Sequence, residues 1–103
     1  MREVGVQYAI CDYLALKNYF FWRVNNIPVF DSQRGGFRRL PKYGKAGIPD
    51  IIVIVGGIFI GLEVKNERGK QSSAQLQFQL DCTKAGGRYY VVRSLQDVRS
   101  IGL

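Results

Sequence analysis

Two β-branched runs separated by Gly56-Gly57 constrain this chain more than any other stretch. Asp50-Ile-Ile-Val-Ile-Val55 and Ile58-Phe-Ile-Gly-Leu-Glu-Val64 are apolar and strand-forming, and a Gly-Gly pair between such runs marks a two-residue β-hairpin. A turn of that length leaves no freedom in the register. Val55 faces Ile58, and counting back along both strands sets Asp50 opposite Glu63. Opposed residues share a face, with Cβ atoms roughly 4.5–5.5 Å apart. Lys65 lies two residues past Glu63 and joins that face, whereas Val64 points to the other. An odd-numbered loop would send the two acids to opposite faces.

Like charges directly opposed destabilise a strand pair, and a divalent cation between them removes that cost. Two hard carboxylates beside a lysine suit Mg²⁺, which takes oxygen ligands and keeps several of its waters. Such an ion neutralises an attacked phosphate and lowers the pKa of a bound water. Asp50 and Glu63 are therefore the expected metal ligands, with the main-chain carbonyl of Val64 as a further oxygen. Lys65 is expected to orient or help deprotonate the attacking water, or to stabilise charge developing on the phosphate. Glu3, on the predicted first helix, is a candidate third carboxylate. Glu-x-Lys on a strand is by itself more often a surface ion pair; the opposed Asp50 separates the two readings.

The chain contains no histidine, which excludes Ser-His-Asp and Cys-His catalysis, HEXXH zinc sites and histidine-metal nucleases. Its two cysteines, Cys11 and Cys82, are too few for a zinc site and read as reduced core thiols of a cytoplasmic protein. No apolar stretch approaches the roughly 20 residues of a membrane span, and the N-terminal residues lack a basic-then-apolar secretory pattern. Fifteen Lys and Arg against eight Asp and Glu give a net charge of +7 over 103 residues. That balance favours a polyanionic partner. Arg34, Arg38, Arg39, Lys42 and Lys45 follow one another with no acid between them, and Phe37 and Tyr43 are interleaved. Charge with aromatics on one segment fits binding to a phosphate backbone, while a merely solvated loop remains the alternative.

A single domain is expected, with a thin core. Residues 2–18 read as a helix, with Val4, Tyr8, Cys11 and Ala15 on one stripe and Ile10 and Leu14 widening it. Phe20 to Asn25 alternates as a half-buried strand. Residues 26–48 show little periodicity, apart from a short strand suggested over Phe37 to Leu40. After the hairpin, residues 73–85 are predicted helical. Ser72 with Gln75 makes a capping box, Gly86-Gly87 is a stop, and the all-round apolar pattern suggests cover on more than one side. Arg88 to Arg93 is the last strand, and Ser94 with Asp97 opens a short helix to about Ile101. The expected fold class is α/β (α+β), in the order α-β-(long loop)-β-β-α-β-α.

Gly47-Ile-Pro-Asp50 followed by Glu63-Val-Lys65 resembles the Pro-Asp…Glu-x-Lys signature of the restriction-endonuclease-like superfamily. More specifically, nearly the whole chain resembles the stand-alone virus-type replication-repair nuclease (VRR-NUC) domain. The likeness takes in Glu3, Trp22-Arg23 with Asn25-Asn26, Gly44 through Asp50, Ser72-Ser-Ala-Gln75, Gly86-Gly87 and Ser94 to Asp97. Val24, inserted between Arg23 and the asparagines, departs from the pattern. The resemblance implies a small mixed β-sheet flanked by helices and a catalytic centre of Glu3, Asp50, Glu63, Lys65 and Gln75. It also implies Mg²⁺ with Mn²⁺ as a substitute, and a DNA substrate. Gln75 is equally readable as a plain helix cap. Arg23 and Asn25 join Arg34, Arg38, Arg39, Lys42 and Lys45 as candidate DNA contacts. Stand-alone members of the family look like dimeric junction-resolving enzymes of phages, so a homodimer acting on four-way junctions in a host cytoplasm is expected. The competing readings are a nucleic-acid-binding module without catalytic activity and a restriction-type enzyme that reads sequence.

Overall fold

The computed structural model describes residues 2–24, 30–31, 36–37 and 42–103. Its elements are α1 (Glu3–Leu16), β1 (Phe20–Arg23), β2 (Phe30–Asp31), β3 (Gly36–Phe37), β4 (Ile51–Val55), β5 (Ile58–Val64), α2 (Ser73–Lys84), β6 (Arg88–Val92) and α3 (Leu95–Ser100). Four strands form one sheet in the order β1-β4-β5-β6. β1, β4 and β5 pair antiparallel and β6 joins β5 in parallel. Parallel neighbours need a long crossover, and α2 supplies it.

The hairpin forms as its turn chemistry demands. Gly56 and Gly57 have φ of 57° and 80°, the two positive values of a type I′ turn. β4 and β5 pair from Val55↔Ile58 back to Ile51↔Leu62. The segment expected to be a long loop carries a further small antiparallel ladder, Phe30↔Phe37 and Asp31↔Gly36. β3 overlaps the start of the short strand suggested over Phe37 to Leu40; residues 38–40 lie outside the described residues. β1 ends at Arg23, two residues earlier than expected.

One sheet face carries the core. Ile51, Val53, Ile60, Leu62, Val64 and Val92 are buried there against Val6, Ile10 and Leu14 of α1, Val98 of α3, and Leu103. The Tyr13 and Tyr19 hydroxyls both donate to the Leu103 carbonyl, at 2.8 and 3.0 Å, and tie the chain end to this layer. α1 turns a different stripe inward from the one expected. Val4 and Tyr8 are exposed and Cys11 is only half-buried. The helix is apolar on two sides, and the sheet takes the one that lands on it.

The opposite face carries Ile52, Ile54, Phe59, Gly61, Glu63 and Tyr89. α2 covers its β5–β6 half through Phe78, whose ring lies 6.4 Å from Phe59 and 6.0 Å from Tyr89. α2 is not covered on more than one side: none of its residues is buried, and Leu76 and Leu80 are exposed. Cys82 is likewise half-buried rather than in the core. Burial pushes both thiols above their ordinary range, and both are free.

Candidate active site

The segment before β4 is locked by close packing at two points. Gly47 sits at φ 74°, and a Cβ there would lie 2.3 Å from the Ala74 carbonyl oxygen in the first turn of α2. Pro49 is fully buried over Gly61 of β5, whose missing side chain leaves it room. Asp50 is thereby delivered to the mouth of the hairpin. Its carbonyl accepts from the Val24 amide at 2.8 Å, and its carboxylate accepts from the Val64 amide at 2.8 Å. Continuing the β4–β5 register one step past Ile51↔Leu62 sets Asp50 opposite Glu63.

Glu63, next to the end of β5, is a buried acid, 1% exposed. Its carboxyl is pushed up to about 9, first by burial, then by a hydrogen bond to Asp50 and the charge of Asp50. Lys65 opposes this rise and Glu3 adds to it. Gln75 both caps α2 and reaches Glu63. Its side-chain oxygen accepts from the Ser72 amide at 2.8 Å, completing the capping box, and its side-chain nitrogen donates to Glu63 Oε1 at 2.9 Å. An amide carries both an acceptor and a donor, so helix capping leaves the donor for the acid.

Lys65 follows the end of β5, half-buried, with its amide bonded to the Val92 carbonyl. Glu3 lies in the first turn of α1, and its Oε1 accepts from the Asn66 amide at 3.1 Å. Among the described residues, no group of three or more His, Cys, Asp or Glu is placed to hold a metal ion. The structure thus brings Asp50, Glu63 and Gln75 into hydrogen-bonded contact and keeps Glu3 tied to the neighbouring loop. The residue types in contact are hard oxygen donors suited to a cation that retains water.

A cleft of about 330 Å³ opens beside this pair, lined by Lys45, Ala46, Gly47, Ile48, Asp50, Ser72, Ala74 and Gln75. Lys45 is exposed at its rim, and the Lys42 ammonium lies 5.2 Å from the Tyr43 ring centre. Arg23 is on the α1 side of the sheet. Its Nε donates to Gln7 at 2.8 Å and its guanidinium lies 5.1 Å from the Tyr8 ring centre. Asn25, Arg34, Arg38 and Arg39 lie outside the described residues.

Three contributors escape a reading of the sequence. Asn66 holds Glu3 through its amide, and Arg93 donates to the carbonyls of Asn66 and Gly69, clamping the loop after Lys65. Tyr89 is buried and pushed up to about 12 by burial and then by the charge of Glu63, with the Gln71 side chain beside its hydroxyl opposing the rise. The polar turn Asn66-Glu-Arg-Gly69 is a visible signal for the clamp, whereas Tyr89 looks like any strand aromatic.

No family model matches this chain, and no curated protein does. A solved VRR_NUC domain aligns with 96% of this chain and 91% of its own length, at a TM-score of 0.69 and 23% sequence identity. The chain shares the fold of that VRR_NUC domain, a mixed four-stranded sheet flanked by helices.

Proposed function

We propose that this chain is a divalent-cation-dependent, structure-specific DNA endonuclease, using Mg²⁺ and acting as a homodimer on branched DNA such as four-way junctions. The observation that carries the proposal is the meeting of Asp50 and Glu63 at the hairpin mouth, with Gln75 on one of them and Lys65 alongside. A buried carboxyl raised to about 9 next to a second carboxylate is a site short of positive charge. Hard oxygens in that state fit Mg²⁺, which needs only one or two carboxylates because it keeps water ligands. Asp50 and Glu63 would hold the ion, with the Val64 carbonyl as a further oxygen. When bound, it lowers the pKa of a water and neutralises charge on the attacked phosphate.

The remaining roles fall to the chain itself. Gln75 fixes the Glu63 carboxylate by its amide donor. Lys65 orients the attacking water or stabilises the charge developing on the phosphate. Glu3, anchored at Asn66, adds negative potential at the same end of β5. Lys45 at the cleft, with Arg34, Arg38, Arg39 and Lys42 in the preceding segment, supplies phosphate contacts. The exposed Leu76 and Leu80 on the outer side of α2 offer apolar surface for a second copy, and a junction needs two symmetric cuts.

The test is incubation with a four-way junction, a flap and linear duplex, each with Mg²⁺ or EDTA. Mg²⁺-dependent cutting of branched DNA is the expected result. Binding without cleavage of any substrate would reduce the protein to a nucleic-acid-binding module, and cuts at one sequence in linear duplex would make it a sequence reader.

A further inference from the structure

The sheet face that bears Glu63 is covered unevenly. α2 lies over β5 and β6, but on β1 the side chains of Phe20 and Trp22 stand 69% and 44% exposed. Their rings pack on each other, 5.9 Å between centres and tilted by 59°. The register Phe20↔Ile54 and Trp22↔Ile52 puts both on the face of Ile52 and Ile54, while Phe21 between them packs into the core. Asp50 is two residues before Ile52 and therefore shares that face. With about 3.3 Å per residue along a strand and about 4.8 Å between strands, the Trp22 backbone lies roughly 8 Å from that of Asp50. This is on the order of one to two nucleotides, since a stacked strand rises 3.4 Å per step and an unstacked one more.

Edge strands are normally blunted with charge or proline. Here the edge presents two large rings beside an acidic site, in a protein of net charge +7 whose exposed Lys45 lines the cleft with Asp50. Lysines alone would neutralise phosphates. Exposed rings add a surface for the π-faces of bases, and only bases free of their own stack can use it. A second copy seated on these rings would crowd the approach to Asp50.

We propose that Phe20 and Trp22 form a base-stacking platform flanking the cleavage site, so that this site selects DNA with unpaired nucleotides within one or two of the cut. The inference rests on the nuclease reading and, within branched DNA, favours flaps and splayed arms over a fully paired four-way junction. Trp22 is the only tryptophan in the chain, so its emission reports this position alone. In EDTA, with hydrolysis off, the whole protein is titrated with a short oligothymidylate and with an abasic sugar–phosphate strand of equal length.

Quenching of Trp22 by the thymidylate and not by the abasic strand is expected. Phe20→Ala and Trp22→Ala should each weaken thymidylate binding about 5- to 150-fold, with Trp22→Phe retaining most of it, the two Trp22 variants being read from the anisotropy of a dye-labelled thymidylate. Equal response to both strands overturns the platform. Emission that shifts with protein concentration alone does so too, since it would mean a second copy covers the rings. Cleavage in Mg²⁺ is scored separately. Base-dependent quenching without cleavage keeps the platform and removes the nuclease, whereas cleavage of a flap without quenching does the reverse. A thermal melt of each variant establishes that it is folded, and the Phe20→Ala titration keeps Trp22 as its reporter.

Discussion

The substitution Glu63→Gln should make the metal-free protein more stable while ending its activity. The parent carboxyl is 1% exposed and raised from 4.5 to about 9 by burial and by Asp50. In EDTA at neutral pH it stays protonated in the fold and ionises in the unfolded chain. The folded state then binds more protons, so this group's contribution to stability is fully present below 4.5 and is lost as pH rises toward 9. From 4.5 to pH 7 is about 2.5 pH units, each worth about 1.36 kcal/mol, which sets a loss near 3 kcal/mol. The amide changes the hydrogen bonding as well as the charge at this position, so the part recovered is about 2 kcal/mol. The new amide would keep an acceptor for Gln75 and a donor toward Asp50 without any charge to bury. For a domain this size the expected rise in Tm is roughly 10 °C at pH 7 in EDTA. The measurement is a set of thermal or urea melts from pH 5 to 9 with EDTA or Mg²⁺. The parent should lose stability with rising pH in EDTA and regain it with Mg²⁺, while the variant shows a flatter profile and little response. A variant less stable than the parent at pH 7, or with the same pH slope, refutes the reasoning.

Asp50→Ala and Lys65→Ala should each lower cleavage about 10²-fold or more while DNA affinity changes little, because binding rests on the basic surface; gel-shift and cleavage assays on one junction check the separation. Gly47→Ala forces a Cβ into the Ala74 carbonyl at a positive φ and should cost about 1–3 kcal/mol, read by urea denaturation, with loss of the Asp50 position behind it. Lys42→Ala with Lys45→Ala should weaken binding to every DNA alike. The slope of log K against log salt should fall by about 0.9 for each phosphate no longer neutralised, or about 0.7 on single strands. An unchanged slope would remove those lysines from the interface.

Some of the site is legible in the sequence because its cause is local. The Gly56-Gly57 turn sets register between adjacent stretches of chain, so Asp50 and Glu63 can be paired by counting residues from the turn. The Ser72–Gln75 capping box is equally visible, since both partners lie within one helical turn. What cannot be read is the other end of the Gln75 amide, which depends on where α2 docks. The same applies to Glu3, whose partner Asn66 is remote in sequence and meets it only after α1 lies along the sheet.

Turn chemistry and strand alternation, acting between neighbours in the chain, were enough to specify the hairpin and the pairing of its acids. Docking over long distances decided the rest. It chose Val6, Ile10 and Leu14 as the buried stripe of α1 over Val4 and Tyr8, and it left Leu76 and Leu80 of α2 in solvent. It also left Phe20 and Trp22 bare on the face that carries Asp50. A helix or edge strand with apolar residues on both sides does not say which side will meet a partner. That is settled by the shape and position of the surface it packs against, and no local pattern contains it.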